Sequence, residues 1–309
     1  MRKTYIFLIV TGLVLFVSAG LLFVNYLLNI ERIPAGMLEW AVVDSTAHDT
    51  REKPMVRIGV ISRYAPYLLY EGYQPVMDYL TENSGYTYSL RLSSSYQDAV
   101  NKLRDGEVAA SFFGTKIYLD AAQSMDIKPV LAPLSNDGTP FIHAVVIVRS
   151  TSEYHSLADL KKYTLALPSR YSYSAQWWTT HLGGNQQKPQ TVQYFAHHQT
   201  VIYKVLKGEY DVGVVKNRVA EEFREKGIRV IAESPSYPSA PLVVLRDSDN
   251  PAVESMRDLL LKLDPERPED SEILSTWDPE FANGFTAVTS ELYRGLDYDV
   301  RSSSAEVQP

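Results

Sequence analysis

Between residues 56 and 134, short runs rich in β-branched residues alternate with stretches whose apolar residues recur at helical spacing, and this alternation leaves few folds open. VRIGVIS (56–62) has strand character, and YQPVMDYLTEN (73–83) sets Val76, Met77 and Leu80 on one helical face. TYSLRLS (87–93) predicts a second strand, 96–104 a helix ending near Gly106, VAASFFG (108–114) a third strand, and 115–124 a helix leading into PVLAPL (129–134). IHAVVIVR (142–149) is a long extended run. A second series follows: Ser156 capping LADLKK, a strand at 163–168, a helix over 174–181, a strand at 191–196, a helix over 200–207 closed by Gly208, a strand at 210–215, and a helix over 218–226 closed by Gly227. The last two strands are expected at 228–234 and 240–246. Strands alternating with helices build parallel sheets covered on both faces. Two such series, joined by extended segments at 142–149 and 240–246, predict an α/β protein of two doubly wound lobes with a ligand cleft between them.

The N-terminus adds a compartment. Arg2 and Lys3 precede an uncharged run over 4–30 that is apolar but for a few residues such as Thr11, Ser18 and Asn25, long enough to cross a bilayer. With the cations in front and Glu31 behind, the N-terminus is expected inside and the rest of the chain outside. A cleaved signal peptide is the rival reading, with Val17-Ser18-Ala19 as its cleavage site. Cleavage there would leave GLLFVNYLLNI as the new N-terminus, so a retained single-pass anchor in the cytoplasmic membrane is the expectation taken forward. The expected order is a cytoplasmic stub (1–4), one transmembrane helix (5–30), a linker (31–54), the first part of lobe 1 (55–145), lobe 2 (146–239), the return to lobe 1 (240–299) and a disordered tail (300–309).

Charge and composition narrow the function. A formal net charge of −7 with no Lys/Arg block argues against nucleic acid as a partner. Any anionic ligand must be held by local donors. With no cysteine, disulfides, thiolate metal sites and thiol catalysis are ruled out. Neither Gly-x-Ser-x-Gly nor His-Glu-x-x-His occurs, and no Asp/His cluster is apparent, so no enzyme activity, metal or cofactor is expected.

One stretch does carry ligand chemistry. Ser172, Tyr173 and Ser174 stand just before a predicted helix, where hydroxyls and first-turn N–H groups can converge on an oxyanion and the helix dipole adds to the field. Ordinary N-capping is the alternative reading of the same serines. Arg170 is a nearby cation able to grip a phosphate or carboxylate. His198 on its own reads as a partly buried histidine bonding to backbone, with His197 beside it leaving open which of the two faces the cleft. As a metal pair they are excluded, because adjacent residues on a strand point to opposite faces.

Several segments together resemble a known family: RIGVIS with YQPVMDYL, YQDAVNKLRDGEVAASFFGTKIY, HAVVIVR followed by SLADLKKYTLAL, SYSA (172–175), FAHHQTVIYKVLKGEYDVGVV and ESPSYPSAPLVV. In this order they resemble the periplasmic phosphonate/phosphate/phosphite-binding proteins of ABC importers, two-lobed solute-binding proteins of type II, over about residues 56–295. The resemblance implies that SYSA stands for the family's Ser-Thr-Ser-Gly, that His198 and Asp211 match ligand-facing positions, and that Tyr118 and either Tyr64 or Tyr67 match aromatic ones. Tyr173 and Ala175 depart from that pattern and crowd the pocket. Trp177 and Trp178 lie where an acid for an amino group would be approached, and no such acid is found. The implied function is capture of a small anion (phosphate, phosphite or a phosphonate) for an ABC permease. The second expectation is a sensor that uses the same clamshell to report to a membrane kinase, cyclase or other complex.

Overall fold

The computed structural model describes residues 53–61, 66–182 and 188–296. The expected transmembrane helix, most of the linker, the tail and Tyr64 lie outside the described residues. Among the described residues no helix is long and apolar enough to cross a membrane.

The first series runs β1 (Met55–Val60), α1 (Pro66–Glu82), β2 (Thr87–Leu92), α2 (Tyr96–Arg104), β3 (Ala110–Phe112), α3 (Thr115–Ala122) and β4 (Ile127–Pro133). After a short β5 (Phe141–Ile142), the second comprises β6 (Ala144–Arg149), β7 (Thr164–Leu167), α4 (Tyr173–Trp177), β8 (Thr191–Tyr194), α5 (His198–Leu206), β9 (Val212–Lys216), α6 (Asn217–Glu221) and β10 (Ile228–Glu233). A short β11 (Tyr237–Pro238) leads to β12 (Leu242–Leu245), α7 (Pro251–Lys262), α8 (Pro268–Ser275) and β13 (Phe285–Ala287).

The strands form two main sheets, ordered β13-β4-β12-β3-β1-β2 and β10-β6-β9-β7-β8. The shared plan is plain when the lobes are read side by side. In lobe 1, β2, β1 and β3 are parallel and β12 runs antiparallel between β3 and β4. In lobe 2, β8, β7 and β9 are parallel and β6 runs antiparallel between β9 and β10. Each lobe thus takes its antiparallel strand from a crossing between the lobes. The crossings pair as a two-stranded ribbon, β5 with β11, through Ile142 opposite Tyr237 and Phe141 opposite Pro238.

The central strands of both sheets are buried on both faces. Ile58, Val60, Phe112 and Leu242 pack under α1 and α7, whereas Phe113, Ile117 and Val243 pack on the opposite side. In lobe 2, Val146, Val148 and Leu165 face Trp177 and Trp178, while Val145 and Ile147 face Val201 and Val205 of α5. Continuous burial from Ala144 to Val148 explains the unbroken apolar run there. Gly213 lets α5 come down on the sheet, since a Cβ there would lie 2.8 Å from Val201 and 3.0 Å from Val205.

Four expectations are corrected. The first helix begins at Pro66 and passes through both Gly72 and Pro75, residues that ordinarily interrupt helices. Gly72 is needed for packing: its carbonyl accepts from Asp278 N at 2.9 Å, and a Cβ there would sit 2.9 Å from that residue's Cβ. The strand at 240–246 is not the last, because β13 adds to the outer edge of β4. The helix expected over 174–181 starts as α4 and continues as a π-helical turn over Trp178–Leu182. His197 and His198 are not on a strand. They are the N-cap and first residue of α5.

Candidate functional site

Parallel strands deliver their C-terminal ends, and the helices that follow them, to one side of a sheet. In each lobe that side faces the other lobe. The turn after β3 gives Gly114, Thr115, Lys116 and Ile117, and the start of α2 gives Tyr96; lobe 2 supplies Ser169 and Tyr171–Tyr173 after β7, Ala196 and His198 after β8, and Lys216 at the end of β9. Tyr237 of the ribbon completes the wall. Tyr96 and Tyr171 meet across the lobes with ring centroids 4.8 Å apart. The cavity measures about 40 Å³. The space suits a small solute.

Three helices begin at this cavity: α3 after Gly114, α4 after Ser172 and α5 after His197. All three N-caps are extended (ψ 153°, 134° and 146°), and none of their side chains caps its helix. First-turn amides have no intrahelical acceptor. Three sets of such amides therefore point their positive dipole ends toward one small space, which is a field for an anion. Two lysines add to it. Lys116 is held by Asp120, one helical turn along, at 2.8 and 3.1 Å, and Lys216 reaches across the lobes to Glu280 at 3.3 Å.

His198 links the parts. Its Nδ1 accepts from the Lys216 backbone N–H at 3.2 Å, so in the neutral imidazole the proton resides on Nε2. That nitrogen lies 3.3 Å from Ser172 Oγ, at the start of α4. Ser172 and His198 thus share one corner, with a ring N–H directed to a hydroxyl that is itself at the cavity. Tyr173 lines the wall and stacks on Tyr237, centroids 4.2 Å apart.

The structure separates the remaining candidates from this cavity. Ser174 is fully buried and its Oγ lies 3.3 Å from the Tyr237 hydroxyl, on the inner side of α4. Burial pushes the Tyr237 phenol up, so it stays a neutral partner. Asp211 stands at the opposite end of the sheet, before β9, where its carboxylate accepts from Thr164 N and Thr164 Oγ1, both at 2.8 Å. It joins the starts of β7 and β9. Tyr118 lies one turn into α3, and helical rotation turns it into the core, edge-on to Tyr293 and bonded to Ser290 Oγ at 3.2 Å. Arg170 is exposed and lies over the Tyr194 ring at 3.9 Å. Tyr67 is 64% exposed on α1.

Sequence reasoning missed Lys116, Lys216, Tyr96, Tyr171 and Tyr237. The first two had a signal. Lys216 is the last residue of β9 and Lys116 stands in the first turn of α3, just after β3, so both are at C-terminal strand ends, the position where doubly wound sheets collect their ligands.

The lobes are fastened beside the cavity. Arg218, two residues beyond Lys216, donates to the carbonyls of Leu134 (3.0 Å), Glu280 (2.7 Å) and Pro279 (2.6 Å), all on lobe 1.

Two lobes of one topology, a two-stranded ribbon at their crossings and an interlobe cavity walled by helix N-termini define a two-lobed binding-protein fold. Residues 58–293 match the family described as "ABC transporter, phosphonate, periplasmic substrate-binding protein", and the chain belongs to that family. Solved structures share the fold. The binding protein component of an ABC phosphonate transporter from Pseudomonas aeruginosa superposes with a TM-score of 0.68 at 17% identity, covering 83% of this chain and 91% of that one. PhnD1 from Prochlorococcus marinus, in complex with methylphosphonate, gives 0.70 at 17% identity, with 82% and 99% covered. A Xanthomonas citri protein bound to ATP gives 0.63 at 20% identity, with 82% and 99% covered.

Proposed function

We propose that this chain captures a small oxyanion of the phosphate, phosphite or phosphonate class in the interlobe cavity and presents it to an ABC permease. The observation that carries this reading is the convergence of α3, α4 and α5, each without a side-chain cap, on one cavity that also holds Lys116, Lys216 and His198. Ser172, Tyr173 and His198 bind the anion from lobe 2, and the start of α3 binds it from lobe 1. The methylphosphonate complex of a fold relative supports the ligand class. Transport is preferred to sensing because the family is one of transport binding proteins. A ligand bound only by the native state raises its melting temperature. A thermal-shift screen of phosphate, phosphite, methylphosphonate, sulfate and small carboxylates is expected to single out a phosphorus oxyanion. A shift with carboxylates alone, or with none of the set, would refute the reading.

The same proposal places residues 5–30 as a retained anchor, on the strength of the apolar run and its flanking charges. The protein should stay in the membrane fraction through a carbonate wash. An N-terminal sequence beginning at Gly20 would instead establish cleavage.

A further inference from the structure

Lys216 occupies two environments at once. Lys216 lines the cavity, and its ammonium reaches Glu280, a residue of the other lobe whose neighbour Phe281 is embedded in the lobe 1 core. Both side chains of the pair are largely withdrawn from solvent, at 15% and 10% exposure. A charge pair in that setting is screened far less than one on the surface.

The second cavity lysine differs. Lys116 is held by both oxygens of Asp120 on its own helix, so its pairing does not depend on where the lobes stand. The Lys216 contact does depend on that, because its two partners belong to different lobes. At 3.3 Å it is also longer than the roughly 2.7–2.9 Å of a tight ammonium–carboxylate bond. Lys216 is further tied to the rest of the site through its backbone, which donates to His198 Nδ1 and leaves the Nε2 proton facing Ser172. Arg218, the next anchor along, fixes the same turn to lobe 1.

We propose that Lys216 is the specificity-determining cation of the cleft, its ammonium shared between the bound oxyanion and Glu280 of the opposite lobe, so that recognition of negative charge and meeting of the lobes draw on one side chain. The proposal rests on the oxyanion reading of the cavity given above. It assigns Glu280 a role as the acid that aims Lys216. The ligand class this favours is one with a full negative charge on the oxygen nearest β9, and a neutral molecule of the same shape leaves Lys216 with Glu280 alone.

A double-mutant cycle measured by calorimetry with inorganic phosphate, and with phosphite in parallel, separates a ligand contact from a lobe contact. Lys216→Met is expected to weaken binding at least about tenfold in the parent and by a smaller but still several-fold factor in the Glu280→Gln background, because a lysine no longer aimed by Glu280 contributes less; equal factors in the two backgrounds would remove Glu280 from the role. Lys216→Arg, which keeps the charge, should restore binding to within a few-fold and controls for folding. If Lys216→Met costs affinity only where Glu280 is present, Lys216 serves the lobe contact and the proposal is overturned. Equal binding by parent and Lys216→Met overturns it as well. If the parent shows no saturable heat with either anion, the oxyanion reading falls first and the proposal with it, a result distinct from both others.

Discussion

Arg218→Ala is expected to part the lobes. In small-angle scattering the variant is expected to have a larger radius of gyration than the parent, with an unchanged far-ultraviolet circular dichroism spectrum. The guanidinium of Arg218 supplies three hydrogen bonds to lobe 1 carbonyls, at 2.6–3.0 Å. A hydrogen bond from a charged group contributes about 1.5–3 kcal/mol, and the three share one side chain, so their sum is not additive. A net loss of about 2–4 kcal/mol would shift the balance between joined and parted lobes by roughly 30- to 1,000-fold. Each lobe keeps its own core, which is why the spectrum should hold. Arg218→Lys retains the charge but not the fork that reaches three acceptors, and should fall between the two. An unchanged radius in Arg218→Ala would show that the fastening lies elsewhere.

His198→Ala is expected to lower affinity for the anion identified by the thermal-shift screen by about 10- to 100-fold, the range for losing one hydrogen bond to a charged group. The melting temperature without added anion should change little, because His198 is only partly buried. The expectation follows from its two contacts: Lys216 N holds Nδ1, and the Nε2–H is thereby directed to the corner it shares with Ser172. His198→Gln, which offers an N–H but cannot reproduce both contacts, should recover part of the loss. Titration calorimetry decides it. Retention of full affinity by His198→Ala would remove this residue from the binding wall.

Much of the fold was open to reading because its signals are local. The helix at 96–104 was recognisable at its C-terminal end, where Gly106 turns the chain away with φ 70°; at the other end Ser95 accepts from Asp98 N at 3.1 Å. The buried run at 144–148 announced itself by composition. The short ribbon β5–β11 and the three-residue β13 carried no such signal, since pieces that brief have no periodicity to detect.

The site was legible only along single segments. Ser172, Tyr173 and His198 belong to the cavity because each stands at a helix start after a strand. Asp211 and Tyr118 were drawn in by family position, but one lies at the wrong end of its strand and the other one turn too far along its helix. Lys116 and Lys216 are 100 positions apart in number, and nothing in their neighbours announces a shared cavity. Their meeting is a property of topology, as is that of Lys216 with Glu280.

The position of β12 also governs the order in which the molecule can be completed as it emerges from its N-terminus. Lobe 2 draws its whole sheet from one uninterrupted stretch, β6 to β10. Lobe 1 cannot do this, because β12 lies between β3 and β4. β4 therefore cannot join the ladder of β2, β1 and β3 until Leu242–Leu245 arrives, by which time the later lobe has all its strands. The half that is synthesised first is the half that is finished last, and through that interval the edges of β3 and β4 are left without the partner that covers them.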